Sequence, residues 1–205
     1  MPLQNRVDPF GTIHAVAARG TMMGNRGGRI HDPAARTISR RYASKRWICC
    51  VRAFKDRKLD VMGRGYTQLF FLDEVTAFAA GHRPCAECRR ADFVRFTYVW
   101  REAFGVTARR IADEMDAVLH DERCVSGKGG GSISREEARK LPDGAMIAAE
   151  NKAFAVRGGA LLPWSFNGYG PPSPVNGSLT LLTPPAIVKI FQTGYAPSFH
   201  PSAEV

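Results

Sequence analysis

This 205-residue chain has no apolar run approaching the roughly 20 residues that a bilayer-spanning helix requires. No membrane-spanning segment is therefore expected. Its first residues, Met1-Pro2-Leu3-Gln4-Asn5-Arg6, lack the apolar centre of a secretion signal. The five cysteines are an odd count, which speaks against a disulfide framework. Together these absences lead us to expect a cytoplasmic protein with reduced thiols. Several catalytic signatures are also missing: Gly-x-Ser-x-Gly, His-Glu-x-x-His, and Gly-x-Gly-x-x-Gly after a strand. The glycine-rich stretch Met23-Gly24-Asn25-Arg26-Gly27-Gly28-Arg29 lacks the Gly-Lys-Ser/Thr ending of a P-loop and reads as a connection.

Acidic residues are scarce beside basic ones, 19 against 29, for a net charge of +10. Residues 1–110 hold 21 of the 29 basic residues and 9 of the 19 acidic ones, so the excess belongs to that part. Arginine far outnumbers lysine there. A concentrated cationic surface attracts polyanions through counterion release, and the guanidinium fork suits phosphate and guanine edges. Nucleic acid is the expected partner. The candidate contacts are Arg40, Arg41, Lys45, Arg46, Arg83, Arg89 and Arg90. Trp47 and the turn containing Trp164 and Phe166 are candidates for stacking on bases or for burial.

Thiols carry the strongest local signal. Pro84-Cys85-Ala86-Glu87-Cys88 places two soft ligands on one tight turn, a spacing that favours zinc over magnesium or calcium. A closed site needs four ligands. Cys49 and Cys50 lie on a predicted strand, where neighbours point to opposite faces, and Cys50 is the preferred third ligand. The fourth is open among His82, His31, Cys49 and His120, with His82 favoured because it lies three residues before Cys85.

Around these thiols the pattern predicts strands at 47–54 and 66–71. Asp73 caps an Ala-rich helix over 74–80, Gly81 is a left-handed stop, and an amphipathic helix starts near Ala86. A short helix is expected over 111–124, followed by a Gly/Ser-rich linker. Short apolar runs at 145–148, 153–156 and 160–162 predict an antiparallel meander. Leu179-Thr180-Leu181-Leu182 predicts a further strand, and Thr183 is expected to cap a last helix begun by Pro184-Pro185.

Phe70-Phe71, the acidic cap, the Ala-rich helix and Gly81-His82-Arg83-Pro84-Cys85-Ala86-Glu87-Cys88-Arg89 resemble the second half of the Ada-type metal-binding domain. The resemblance covers roughly residues 47–100, and its specific core is about twenty residues long. That family repairs methyl phosphotriesters in DNA, holds zinc with four cysteines and uses one of the earlier pair as methyl acceptor. The resemblance implies zinc on Cys85 and Cys88 and a DNA-contacting fold. Here the earlier pair is replaced by adjacent Cys49 and Cys50, and His82 stands where the family prefers an aromatic residue. The chain is also similar overall to bacterial proteins of about this length.

A second constellation suits hydrolysis. Asp113, Asp116 and His120 share one helical face, and His120-Asp121-Glu122 supplies a His-x-Glu. With Pro-Cys-x-x-Cys this completes the parts of a zinc deaminase, but in reversed order. The alternative function is thus a metal-dependent hydrolase using Asp116, His120 and Glu122.

The sequence as a whole predicts an α+β protein. A small zinc-stabilised strand–helix unit is followed by a small antiparallel β meander with a C-terminal helix. The expected division is a basic zinc-binding domain over 1–125, a linker over 126–140 and a β-rich domain over 141–205. The function expected is nucleic-acid binding with zinc as cofactor, and the Ada-type resemblance implies a link to repair.

Overall fold

The structure is a computed structural model that describes residues 1–56, 60–107, 109–125 and 131–204. Its first sheet is built from short strands: β1 (Arg6–Val7), β2 (Ile13–His14), β3 (Met22–Arg26), β6 (Trp47–Cys50), β7 (Leu69–Phe71) and β8 (Arg83–Pro84). Their order is β2-β1-β7-β3-β6-β8. Between β3 and β6, a hairpin of β4 (His31–Asp32) and β5 (Thr37–Ile38) stands apart. Lys55 and Asp56 take left-handed φ angles of 49° and 48°, the backbone of the predicted polar turn. The rest of that turn, Arg57 and Lys58, lies outside the described residues.

The second sheet has the order β13-β12-β11-β10-β14-β9. It comprises β9 (Gly131–Ile133), β10 (Met146–Ala149), β11 (Lys152–Arg157), β12 (Ala160–Ser165), β13 (Gly168–Tyr169) and β14 (Leu179–Leu181). The β10–β12 meander matches the three predicted apolar runs, with Glu150 and Asn151 at positive φ making its first turn. Among the described residues five α-helices complete the α+β arrangement: α1 (Glu74–Ala79), α2 (Arg90–Phe104), α3 (Ile111–His120, continued by a π-helical turn over Asp121–Val125), α4 (Arg135–Arg139) and α5 (Pro185–Gln192). None is long and apolar enough to cross a membrane.

Helix α1 is the hub. All six of its residues are buried. Its alanines let other backbone approach closely, and each flank enters a different core. Ala77 packs with Val7, Cys49, Leu69 and Phe71 of the first sheet, together with Ala80 just past the helix end. Val75 and Ala79 pack with Met146, Ala155 and Leu162 of the second. Phe78 enters a helical core with Phe96, Trp100, Met115, Ile187 and Tyr195. Two of these three cores therefore draw on both sides of the expected boundary at 126–140. Of that expected linker, 126–130 lie outside the described residues. The remainder forms β9 and α4, whose Ser134 and Glu137 make a capping box.

Helix ends follow the sequence in part. Asp73 accepts from the Thr76 N–H at 2.8 Å as the N-cap of α1, and Gly81 follows with φ 78°. Helix α2 begins at Arg90, later than expected, because residues 85–89 are held in a turn over Cys85. Thr183 does not cap α5. Its hydroxyl instead accepts from the Met146 N–H at 2.8 Å, and Glu122 takes the capping role by accepting from the Ala186 N–H at 3.1 Å.

Candidate metal centre

Strand alternation decides which cysteine of β6 is available. Trp47 and Cys49 face the core, whereas Ile48 and Cys50 line the outer cleft. Parallel pairing of β6 with β8 then sets Cys49 opposite Pro84, and the Cys85 N–H donates to the Cys49 carbonyl at 2.9 Å. This register delivers Cys85 beside Cys50, and the turn after Pro84 folds Cys88 back onto both. The sulfurs of Cys50, Cys85 and Cys88 lie within 4.8 Å of one another.

The donor set fits a soft metal ion. Zn–S bonds of about 2.3 Å in a tetrahedron imply sulfurs about 3.8 Å apart, so a small contraction closes the triad on zinc. All three are free thiols rather than a disulfide pair. Backbone N–H groups already serve the sulfurs: that of Glu87 donates to Cys85 Sγ at 3.4 Å, and that of Val51 serves Cys88. The Cys50 thiol donates to Cys85 and lowers its pKa to about 5; burial opposes this, and the Cys88 and Glu87 N–H groups assist. Cys50, whose S–H is held in that bond, is pushed up, and burial pushes Cys88 up. Among the described residues no other group of three or more His, Cys, Asp or Glu side chains has such spacing.

The three sulfurs wall a cleft of about 260 Å³. Facing them are Phe54, Tyr66 and Phe70, with the amides of Asn25 and Gln68 and the Glu87 carboxylate. These cleft residues were missed by the sequence reasoning. Alternation along β3 and β7 is the signal that locates them, since Met23, Asn25, Gln68 and Phe70 share the outward phase of Cys50.

His82 does not join the thiols. It is fully buried against the other sheet face, its ring 5.1 Å from Trp47 and 4.7 Å from Phe71. Neither ring nitrogen has a hydrogen-bond partner, although the Ala77 and Ala80 carbonyls lie near. Burial, then the Arg26 and Arg123 charges, hold its pKa well below the usual value. The unfolded chain therefore takes up a proton below pH ~6.5 that the folded chain refuses. Stability present above that pH is lost as pH falls beneath it. His82→Phe is expected to reduce the difference in unfolding free energy between pH 7.5 and 5.5 by about 1 kcal/mol. Urea titrations at the two pH values check this, and an unchanged difference would show that His82 does not refuse the proton.

The other candidates for a fourth ligand are also placed elsewhere. Cys49 is buried on the core side, where its sulfur accepts from Arg89 Nη1 at 3.6 Å and burial pushes its thiol up. His31 has both ring nitrogens engaged, with Thr67 Oγ1 at 2.6 Å and the Gly63 carbonyl at 2.9 Å. His120 stacks edge-on against Tyr42, and burial pushes its pKa down.

Two of the seven expected phosphate contacts are structural. Arg83 makes a buried two-pronged ion pair with Asp116, at 2.9 and 2.7 Å. Arg89 is buried against Glu74 at 2.5 Å and reaches Asp92 at 2.8 Å. Neither guanidinium is available to a partner. Arg40, Arg41, Lys45, Arg46 and Arg90 are exposed as expected. The hydrolytic trio is not assembled, because Asp116 is locked to Arg83 and Glu122 caps α5. Trp47 is buried beneath two arginines and offers no free stacking face. Comparison with protein-family models, curated proteins and solved structures finds no match, so the reading of this centre rests on its own geometry.

Proposed function

We propose that the chain is a zinc protein that binds nucleic acid, with zinc held by Cys50, Cys85 and Cys88. The observation that carries this reading is the convergence of three soft sulfurs on the wall of an open cleft. Zinc bound by three protein ligands keeps one position for an outside ligand, a water or a group of the bound molecule. The cleft's aromatic wall of Phe54, Tyr66 and Phe70 suits a planar unstacked base, and its amides suit the hydrogen-bonding edge of that base. Exposed Arg40, Lys45 and Arg46 supply charge for phosphates. The Ada-type resemblance of residues 47–100 points the same way, toward zinc beside DNA.

Fluorescence anisotropy with labelled single-stranded and duplex oligonucleotides tests the binding. Affinity should fall steeply with salt, and Arg40→Gln, Lys45→Gln and Arg46→Gln together should flatten the duplex log–log slope by about 3. Absent or salt-insensitive binding overturns the reading.

One observation favours a hydrolytic version. Glu87 lines the same cleft between the two thiols of its turn, where a proton shuttle beside zinc belongs. In that version Glu87→Gln abolishes turnover, for example ammonia release from cytosine or adenine, while zinc content and oligonucleotide affinity stay unchanged. Wild-type protein with zinc bound and no turnover leaves binding as the function.

A further inference from the structure

On the sheet face opposite the thiols, three arginines meet around Trp47 with no acid to neutralise them. Arg26 is 1% exposed; its guanidinium lies 4.1 Å from the Trp47 ring, and its Nη2 donates to the Gly11 carbonyl at 2.7 Å. Arg123 lies over the same ring, also at 4.1 Å. It donates to the carbonyls of Gly81 and Lys45. Arg41 Nη2 reaches the Arg123 carbonyl at 2.9 Å. The Nε atoms of Arg26 and Arg123 are buried and have no partner. Among the described residues none of the three makes an ion pair. The acids that influence them are committed elsewhere, Asp8 to His14 at 2.7 Å and Asp116 to Arg83. The Cys124 sulfur beside Arg123 is a weak acceptor.

Such a cluster is costly. Burial, followed by repulsion from Arg41 and Arg123, lowers the Arg26 pKa to about 9, and burial lowers that of Arg123 to about 10. Buried charge of one sign normally has a counter-charge. The opening for one exists in a cleft of about 230 Å³ lined by Arg41, Trp47 and Arg123, by Phe10 and Gly11, and by Pro184 at the start of α5. Gly11 is the residue that Arg26 grips, so all three guanidinium groups border or adjoin the same space.

We propose that this cleft binds a phosphoryl oxyanion. Guanidinium forks recognise phosphate oxygens by paired charge-assisted hydrogen bonds, and Arg123, which lines the space, holds a buried Nε–H without a partner. The site is separate from the thiols, and it stands or falls independently of zinc. The phosphoryl group belongs either to a free phosphate or mononucleotide, or to a nucleic-acid chain.

The test is calorimetric titration with inorganic phosphate at fixed ionic strength, using chloride to balance. One saturable equivalent per chain is expected. Arg41→Gln, an exposed position whose change leaves the fold intact, should weaken it about tenfold, and Arg123→Met should remove it. Arg139→Gln on α4 should leave it unchanged. Binding that chloride reproduces, or that Arg41→Gln leaves untouched, overturns the proposal. Competition identifies the source. Displacement by adenosine monophosphate and by 5′-phosphorylated but not unphosphorylated oligonucleotide assigns a terminal phosphate. Equal displacement by both oligonucleotides assigns the chain backbone.

Discussion

Changing either Cys85 or Cys88 to serine is expected to empty the metal centre. Elemental analysis of the wild-type chain should give about one zinc per molecule, and each variant less than about a tenth of that. Loss of one soft ligand from three leaves two, too few for a stable zinc site. Cys50→Ser should behave alike, because β6–β8 pairing places its sulfur in the same triangle. Cys124→Ser is the control, since Cys124 lies outside the triad. A metal ion on the three sulfurs would tie β6 to the turn before α2, so the variants should unfold at lower temperature. The loss will be far smaller than the ~10–16 kcal/mol by which zinc stabilises isolated finger peptides, because four apolar clusters hold the rest of this fold. Adding zinc to metal-free protein at neutral pH should release protons, because thiols bind the metal as thiolates. Metal-free wild-type protein of normal stability, or equal metal loss in Cys124→Ser, would sink the assignment.

What the sequence revealed and what it hid divide along physical lines. Local signals read well. The spacing of Cys85 and Cys88, the Asp73 cap, the left-handed Gly81 and the three apolar runs of the meander each depend on a few neighbouring residues. Alternation along the strand is local and says that Cys49 and Cys50 face opposite ways, but which of them meets Cys85 is set by the pairing of β6 with β8. Partner choice was not legible in the sequence. Arg83 and Arg89 looked like phosphate contacts because nothing nearby in sequence announced that Asp116 and Glu74 would be buried opposite them. His82 looked like a ligand by spacing. Yet the left-handed Gly81 swings it to the far sheet face, against Trp47 and Phe71. The cleft residues Phe54, Tyr66 and Gln68 come from segments that only the register of β3, β6 and β7 brings together. The expected division placed a linker at the Gly/Ser-rich stretch from residue 126 and a β-rich domain from residue 141. Helix α1 packs across that division, since Val75, Phe78 and Ala79 enter cores drawn from both sides of it.

The second large effect is expected at Glu74, the acid on which this packing turns. Its carboxylate, 1% exposed, accepts from Arg89 Nη2 at 2.5 Å, Tyr195 Oη at 3.0 Å and the Ser198 N–H at 2.8 Å. Asp73 beside it holds Tyr169 Oη at 2.8 Å and the His200 N–H at 2.9 Å. The two carboxylates thus clasp the C-terminal segment onto α1. Glu74→Ala leaves the Arg89 guanidinium buried without its main counter-charge, and breaking a buried pair from one side costs about 3–5 kcal/mol. Replacing both partners together, Glu74→Leu with Arg89→Met, should cost much less, because no uncompensated charge remains. The effect should also reach the metal. Arg89 follows Cys88 directly and donates to Cys49 on the strand that carries Cys50, so releasing it loosens two of the three ligand positions. Zinc affinity of Glu74→Ala should therefore fall by about 10- to 100-fold, the usual penalty for losing support behind metal ligands. Chelator competition measures the affinity and urea titration the stability. A stable Glu74→Ala variant with unchanged zinc affinity would mean that the ion pair neither clasps the tail nor steadies the thiols.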